Sequence, residues 1–409
     1  MFLFFKKNFY RILTIFILTI ILAYVTNITT IPENIILFKN ENLSIKTVAG
    51  IKITEAIPVG SSLSDNNKLK SETREYNVSL LGINLRKIKA DVLNQTTVIP
   101  LGNIIGLKLY TQGVLVVGKS QIEGEDNKIY KPYESSGIDE GDSIIKINNE
   151  TVSNTNELLK CVSKYKGKEM NITFIKNGEE KNGIIKPVKV SNNLYKLGLW
   201  VRDSAAGVGT ATFYEKNSNT CATLGHSIQD IDTGKIVEIS TGEIVTSKID
   251  KIEKGEKDNP GRIEGNIENS AIVGKIYSNT EFGIYGNVIN RSTLNINEQK
   301  EMKVATRNEI KTGKASIMCA VENENVKEYE VQIQKIFKAN NSNNKSMIIK
   351  ITDKNLLEKT GGIIQGMSGS PIIQNGKFVG ALTHVLVSDP TVGYGVFGDI
   401  MLNQIKKMN

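Results

Sequence analysis

The sequence predicts a mainly β chain with one apolar helix at its N-terminus, a small α/β unit in the middle and an all-β second half. Three observations predict it. Lys6, Lys7 and Arg11 precede an apolar run from Ile12 to Val25 that continues weakly to Ile31. Residues 97–190 hold short strand patterns around one helix-like stretch, Thr155–Tyr165. Residues 191–409 hold many short alternating runs separated by turn residues, the pattern of a barrel or sandwich.

Positive residues before an apolar run fit a signal peptide or signal anchor. No small-residue cleavage site of the A-x-A kind follows, so an uncleaved transmembrane helix is expected over residues 1–32, at the short end of what spans a bilayer. The flanking charge then places the rest of the chain outside. Residues 33–96 read as a linker and a small β region. Ser61–Glu75 is polar and reads as exposed linker, and Asn77–Val92 alternates apolar and polar residues as strands do.

In residues 97–190, Ile105–Leu109 reads as a turn followed by a strand, and Gly113–Gly118 as another strand. Glu123–Lys131 reads as a loop. Ser136–Asp142 leads into a strand at Ile144–Asn148, with Asn149 as a turn residue. Thr155–Tyr165 places Leu158, Leu159 and Val162 on one helix face behind Asn154, a capping residue. Asn177-Gly178 is a hairpin signal between Asn171–Lys176 and Lys181–Val188. This order, and SGIDEGDSIIKINNETV before a helix, resembles a PDZ domain of the bacterial protease type. The resemblance implies that an extended peptide is bound by strand addition. It places the carboxylate-binding loop at Ile104, Ile105, Gly106 and Leu107, and the groove between the following strand and the helix.

From residue 191 onward, strands are expected at Gly207–Tyr214, Ile236–Ile239, Glu243–Ile252, Ile272–Tyr277, Lys303–Thr306, Lys314–Val321, Tyr329–Ile336 and Ser346–Ile351. Asp399 is expected to cap a closing helix that begins near Ile400.

Composition narrows the chemistry. The 409 residues carry 51 Lys+Arg against 43 Asp+Glu, a net charge of +8. The basic residues are spread along the chain, which argues against a nucleic-acid footprint and suits an anionic lipid surface. Cys161, Cys221 and Cys319 lie far apart without a CxxC, which excludes a disulfide framework and leaves room for one bridge. With two histidines, no HExxH and no Gly-rich phosphate loop, neither a metal site nor a cofactor is expected.

The informative stretch is Gly366-Met367-Ser368-Gly369-Ser370-Pro371. Serine attacks only when a base removes its proton, and flanking glycines let backbone N–H groups approach a developing oxyanion. The hairpin that follows, PIIQNGKFVGALTHV, resembles the one after the GDSGGP nucleophile turn of chymotrypsin-like double-barrel enzymes. That resemblance implies Ser368 as nucleophile, with the N–H groups of Gly366 and Ser368 as the oxyanion hole. Met367 replaces the acidic residue that pairs with a freed N-terminus in trypsin-like enzymes. Ser370 is a rival nucleophile two residues on. Of two histidines, His226 precedes the serine as a first-barrel base would, whereas His384 follows it as a lining residue. For the third member, Asp353, Asp230, Asp250 and Asp258 remain open.

The N-terminal anchor, the PDZ-like segment, ATLGHSI and TDKNLLEKTGGIIQGMSGSPIIQNGKFVGALTHVLVSDPTVGYG together resemble the stage IV sporulation protein B family of serine peptidases over nearly the whole chain. The resemblance implies His226, Asp353 and Ser368 as the catalytic residues and a chymotrypsin-like peptidase domain over 191–409. It also implies secretion into the space between forespore and mother-cell membranes, self-cleavage, and cleavage of a membrane-bound regulator of an intramembrane protease, which activates a late sigma factor. Self-cleavage would fall between Glu33 and Glu75. The alternatives are a catalytically inactive, membrane-tethered PDZ adaptor and a general envelope quality-control protease.

Overall fold

The structure is a computed structural model. It describes residues 2–408 apart from 30, 32, 40, 42, 44, 46, 57–71, 192–193, 268–270, 295, 323–324 and 338–343. Helix α1 spans Phe2–Thr29. Its Arg11–Thr29 stretch is long and apolar enough to cross a membrane, and Ile12, Phe16 and Leu22 on it are exposed.

A four-stranded sheet follows, built from β1 (Asn34–Phe38), β2 (Ile51–Glu55), β3 (Glu72–Leu80) and β4 (Ile83–Leu93) in the order β1-β4-β3-β2. Most of the expected linker, residues 61–71, lies outside the described residues. Glu72–Glu75 already belong to β3, because each pairs across to β4.

After β5 (Thr97–Pro100) comes β6, a single strand over Ile104–Lys119. The expected turn near Ile105, and with it the carboxylate loop at Ile104, Ile105, Gly106 and Leu107, is not there. Ile105, Gly106 and Leu107 pair on both sides, so their backbone groups are taken up by neighbouring strands and cannot meet a peptide. Gly113 marks where β6 passes, within one continuous sheet, from barrel partners to partners in the small α/β unit. Its φ is +78°, and a Cβ there would lie 2.3 Å from the Ile144 carbonyl oxygen.

Beyond that glycine, the small α/β unit packs around Val114, Val116, Ile144, Ile172 and Phe174. It contains β7 (Ser143–Ile147), α2 (Thr155–Tyr165), β8 (Met170–Lys176) and β9 (Glu179–Ile185). Asn154 caps α2 as expected, its side chain accepting from Glu157 N at 3.0 Å. Leu158 and Val162 are buried, whereas Leu159 is exposed, one step round the helix from the core face.

Strand β10 (Leu199–Glu215) returns along β6. With β11 (Thr220–Thr223), β12 (Ile239–Thr246), β14 (Ile272–Thr280) and β15 (Gly283–Val288) it forms a ring whose pairings run β6-β12-β14-β15-β11-β10 and back to β6. β13 (Arg262–Asn266) lies outside the ring. Ile105, Leu107 and Leu109 alternate into this barrel against Ile244, Val273, Ile276 and Ile284. The first barrel therefore takes strands from both sides of the small unit, and residues 97–111 belong with it rather than with the unit.

Short β16 (Met302–Lys303) pairs with β5. The second barrel is closed, in the order β17 (Gly313–Ala320), β18 (Val326–Ile336), β19 (Met347–Ile351), β22 (Asp389–Phe397), β21 (Lys377–Leu386), β20 (Pro371–Gln374). Phe213 of the first barrel meets Phe378 of the second edge-on at 5.2 Å. Helices α3 (Lys354–Thr360) and α4 (Gly398–Met408) complete the chain. Asp399 lies inside α4 rather than capping it, drawn into the interior by Arg307 Nε at 3.1 Å. The strand expected at Ile236–Ile239 begins only at Ile239, and that at Glu243–Ile252 breaks at Ser247. The free thiols of Cys161, Cys221 and Cys319 are all buried.

Candidate active site

The two turns singled out in the sequence meet where the two barrels join. The first follows β11. Leu224 and Gly225 have φ of +64° and +73°, a tight reversal that delivers His226. A leucine in that region carries strain that its surroundings must hold. The His226 ring is hydrogen-bonded at 2.8 Å between Nδ1 and the Ser227 carbonyl oxygen. A carbonyl only accepts, so Nδ1 carries the proton and Nε2 presents its lone pair. Burial lowers the pKa of His226 below the ordinary 6.5, which keeps the ring neutral and able to act as a base.

The second turn is clamped from several sides. Met367 N donates to Ile364 O, Ser370 N to Met367 O and Gly369 N to Leu382 O, at 3.1, 3.0 and 2.7 Å. Gly366 and Gly369 hold φ of +100° and +98°. A Cβ on Gly369 would lie 2.2 Å from Thr210 O and 2.6 Å from Leu224 N, so only glycine lets this turn close on the histidine turn. The N–H groups of Gly366 and Ser368 find no acceptor among the described residues, so two donors flank the Ser368 side chain unpaired. Ser370 is excluded as a rival: it is buried, and its hydroxyl donates to Met367 O at 2.6 Å.

The structure brings His226 and Ser368 to the same neighbours but leaves them unbonded. Ser368 Oγ donates to Thr383 O at 2.6 Å. Beside it, the rings of His384 and His226 lie 4.9 Å apart at 37°. The His384 side chain is exposed by area, yet its ring sits against enough protein that desolvation, then His226 and Lys345, hold its pKa down to about 4.

Asp353 is not in contact with His226. It caps α3, accepting from Leu356 N at 3.0 Å. Strand directions do put it at the Ser368 end of the barrel: β19 exits at Asp353 where β21 exits past His384 and β20 enters from Ser368. The other carboxylates are engaged elsewhere. Asp230 is ion-paired with Arg202 and folds its own turn, and Asp250 and Asp258 are exposed. Thr210 and Thr383, both central to the site, carried no sequence signal, since a threonine in a strand is ordinary.

A second recess, of about 490 Å³, lies between α2 and the start of β10. Leu158, Leu159, Val162, Leu197 and Trp200 line it. Among the described residues, β10 at Leu199–Arg202 pairs with β6 along one edge only. The open strand edge beside the helix is therefore here, not at Ile104–Leu107.

The description of the SpoIVB peptidase S55 family matches residues 193–402. The chain belongs to this family. It is thus a serine peptidase, and both the His226 turn and the Ser368 turn lie within the matched segment. The S55 match begins after β6, although β6 completes the first barrel. A curated relative, the zinc metalloprotease RasP of Shouchella clausii (strain KSM-K16), is 34% identical over 95 residues, 23% of this chain and 22% of that protein. The chain therefore spans under a quarter of that relative's length. Among solved structures, the thermostable serine protease AL20 from an extremophilic microorganism matches at 14% identity and TM-score 0.30, over 49% of this chain and 89% of that one. The HtrA-type protease AlgW with a decapeptide matches at 9% identity and TM-score 0.31, over 76% and 65%.

Proposed function

We propose that this S55 peptidase is a sporulation endopeptidase that cuts itself and a membrane-bound regulator, with Ser368 as nucleophile and His226 as base. The observation that carries the catalytic part is the contact between the Leu224–His226 turn and the Gly366–Ser370 turn, with two N–H groups beside the serine unpaired among the described residues. In the reaction, Ser368 Oγ leaves Thr383 O, gives its proton to His226 Nε2 and attacks the substrate carbonyl. The N–H groups of Gly366 and Ser368 then receive the oxyanion. His226 passes the proton to the leaving amine, and water releases the acyl group by the same steps in reverse.

Asp353 is the third member in this reading, supported by its place at the Ser368 end of the barrel and by the family resemblance. It engages His226 only after Nδ1–H turns from Ser227 O to the carboxylate, so the described arrangement is a resting one. The departures from a working triad are hydrogen bonds: Ser368 Oγ donates to Thr383 O and His226 Nδ1 to Ser227 O, while Asp353 accepts from Leu356 N.

The recess along the open edge of β10 is the reading's peptide-docking groove, with the partner's tail added as a strand beside Leu199–Arg202. Helix α1 is its membrane anchor, and the space between forespore and mother-cell membranes its place of action. The test is N-terminal sequencing of products from wild type and Ser368→Ala. Wild type should yield a new N-terminus between Glu33 and Glu75, and Ser368→Ala none. Equal processing of both proteins would overturn self-cleavage.

A further inference from the structure

One residue touches both catalytic turns at once. Thr210, on β10, is 2% exposed. Its Oγ1 donates to Gly366 O at 2.7 Å, and its N–H donates to Ser368 O at 3.0 Å. Its own carbonyl accepts from Leu224 N at 3.3 Å, two residues before His226. The first two bonds join the first barrel to the second, and the third ties the same residue to the His226 turn. The backbone pair survives any side-chain change, so the hydroxyl is the separable part. That hydroxyl fixes the carbonyl just after the first oxyanion donor and just before Met367, and so sets the path of the chain into Ser368.

The same strand supplies a comparison. Thr212, two residues on and fully buried, has a hydroxyl with no hydrogen-bond partner among the described residues. Two buried threonines, Thr210 in register with Ile104 and Thr212 at the irregularity between Ala211 and Phe213, differ in whether the hydroxyl reaches the nucleophile turn.

We propose that Thr210 is a positioning residue for acyl transfer: its side-chain hydroxyl holds Gly366 so that Ser368 and its oxyanion donors stay in register with the His226 turn. The proposal rests on Ser368 as nucleophile. A buried carbonyl left unpaired relaxes toward another partner. A shift of the order of an ångström in reacting groups costs about a hundredfold in rate. The loss falls on the chemical step rather than on binding, since the hydroxyl touches no substrate.

The test uses the full chain and a fluorophosphonate–rhodamine probe, with kinact and KI measured separately. Serine Oγ forms the bond to phosphorus, fluoride leaves, and the serine proton goes to His226. Thr210→Val, which keeps shape and removes the hydroxyl, should lower kinact about tenfold to hundredfold with KI within about threefold. Thr210→Ser, which restores the hydroxyl, should recover most of kinact. Thr212→Val should label like wild type. An unchanged kinact in Thr210→Val, a change confined to KI, or equal loss in the valine and serine variants would overturn the proposal. If Thr210→Val does not fold, Thr210→Ala is compared with Thr210→Ser in the same way. Failure of both to fold, while Thr212→Val folds, would make the hydroxyl a general structural group and end the proposal. Persistent labelling in Ser368→Ala would count against the nucleophile assignment instead.

Discussion

The two ends of β10 are paired in opposite ways. At Leu199–Arg202 the strand pairs on one side only among the described residues, beside an exposed Trp200 and the apolar face of α2. At Thr210–Glu215 it is buried and its hydrogen-bonding groups are spoken for by β6, β11, β5 and the Ser368 turn. A docking site needs unpaired backbone and uncovered apolar surface, which an incoming strand can complete. A catalytic site needs the reverse, a main chain with no freedom left except at the donors meant for the oxyanion. Under the proposed function, one continuous strand serves both because its pairing changes along its length.

Four outcomes sharpen or break that comparison. The largest effect is expected at the buried end. His226→Gln should slow fluorophosphonate labelling by about 10⁴-fold or more, in line with losing the base of a catalytic unit. Next comes Asp353→Asn. Asparagine caps a helix as well as aspartate does, so thermal stability should hold. Labelling should still fall at least about a hundredfold if the carboxylate joins the triad. A change under about tenfold would leave Asp353 as the α3 cap alone.

At the open end, Leu159→Glu puts a charge into the groove at an exposed position. It should leave probe labelling unchanged while slowing self-cleavage about tenfold, as losing an apolar anchor does. Equal slowing of both reactions would dissolve the division of labour along β10. The smallest effect is structural: Asn154→Ala removes the α2 cap and should cost about 1 kcal/mol in denaturant unfolding, with activity at Ser368 intact.

Much of this was legible in the sequence because it rests on local rules. The Asn154 cap, the Asn177-Gly178 hairpin and the GMSGSP turn each depend on neighbours in the chain. The expected strands at Gly207–Tyr214 and Lys314–Val321 lie within or nearly match β10 and β17 for the same reason. The errors came where long-range pairing decides. Ile104–Leu107 looks like a loop by its glycine, yet two distant strands, β10 and β12, hold it straight. The groove edge at Leu199–Arg202 has no turn signal, since what makes it an edge is the absence of a strand beside it. Asp399 reads as a cap until Arg307, far away in sequence, draws it inside. Thr210 was invisible because its importance lies in the spacing of two turns that only the folded barrels bring together.

The most direct measurement maps the fluorophosphonate adduct by mass spectrometry in wild type and His226→Gln across pH. A neutral His226 with a pKa below 6.5 predicts one adduct, on Ser368, formed at a steady rate at neutral pH and losing rate only as pH falls below about 6.5. The adduct should be nearly absent from His226→Gln. An adduct on Ser370 or another serine, or equal labelling of both proteins at every pH, would contradict the pairing of His226 with Ser368.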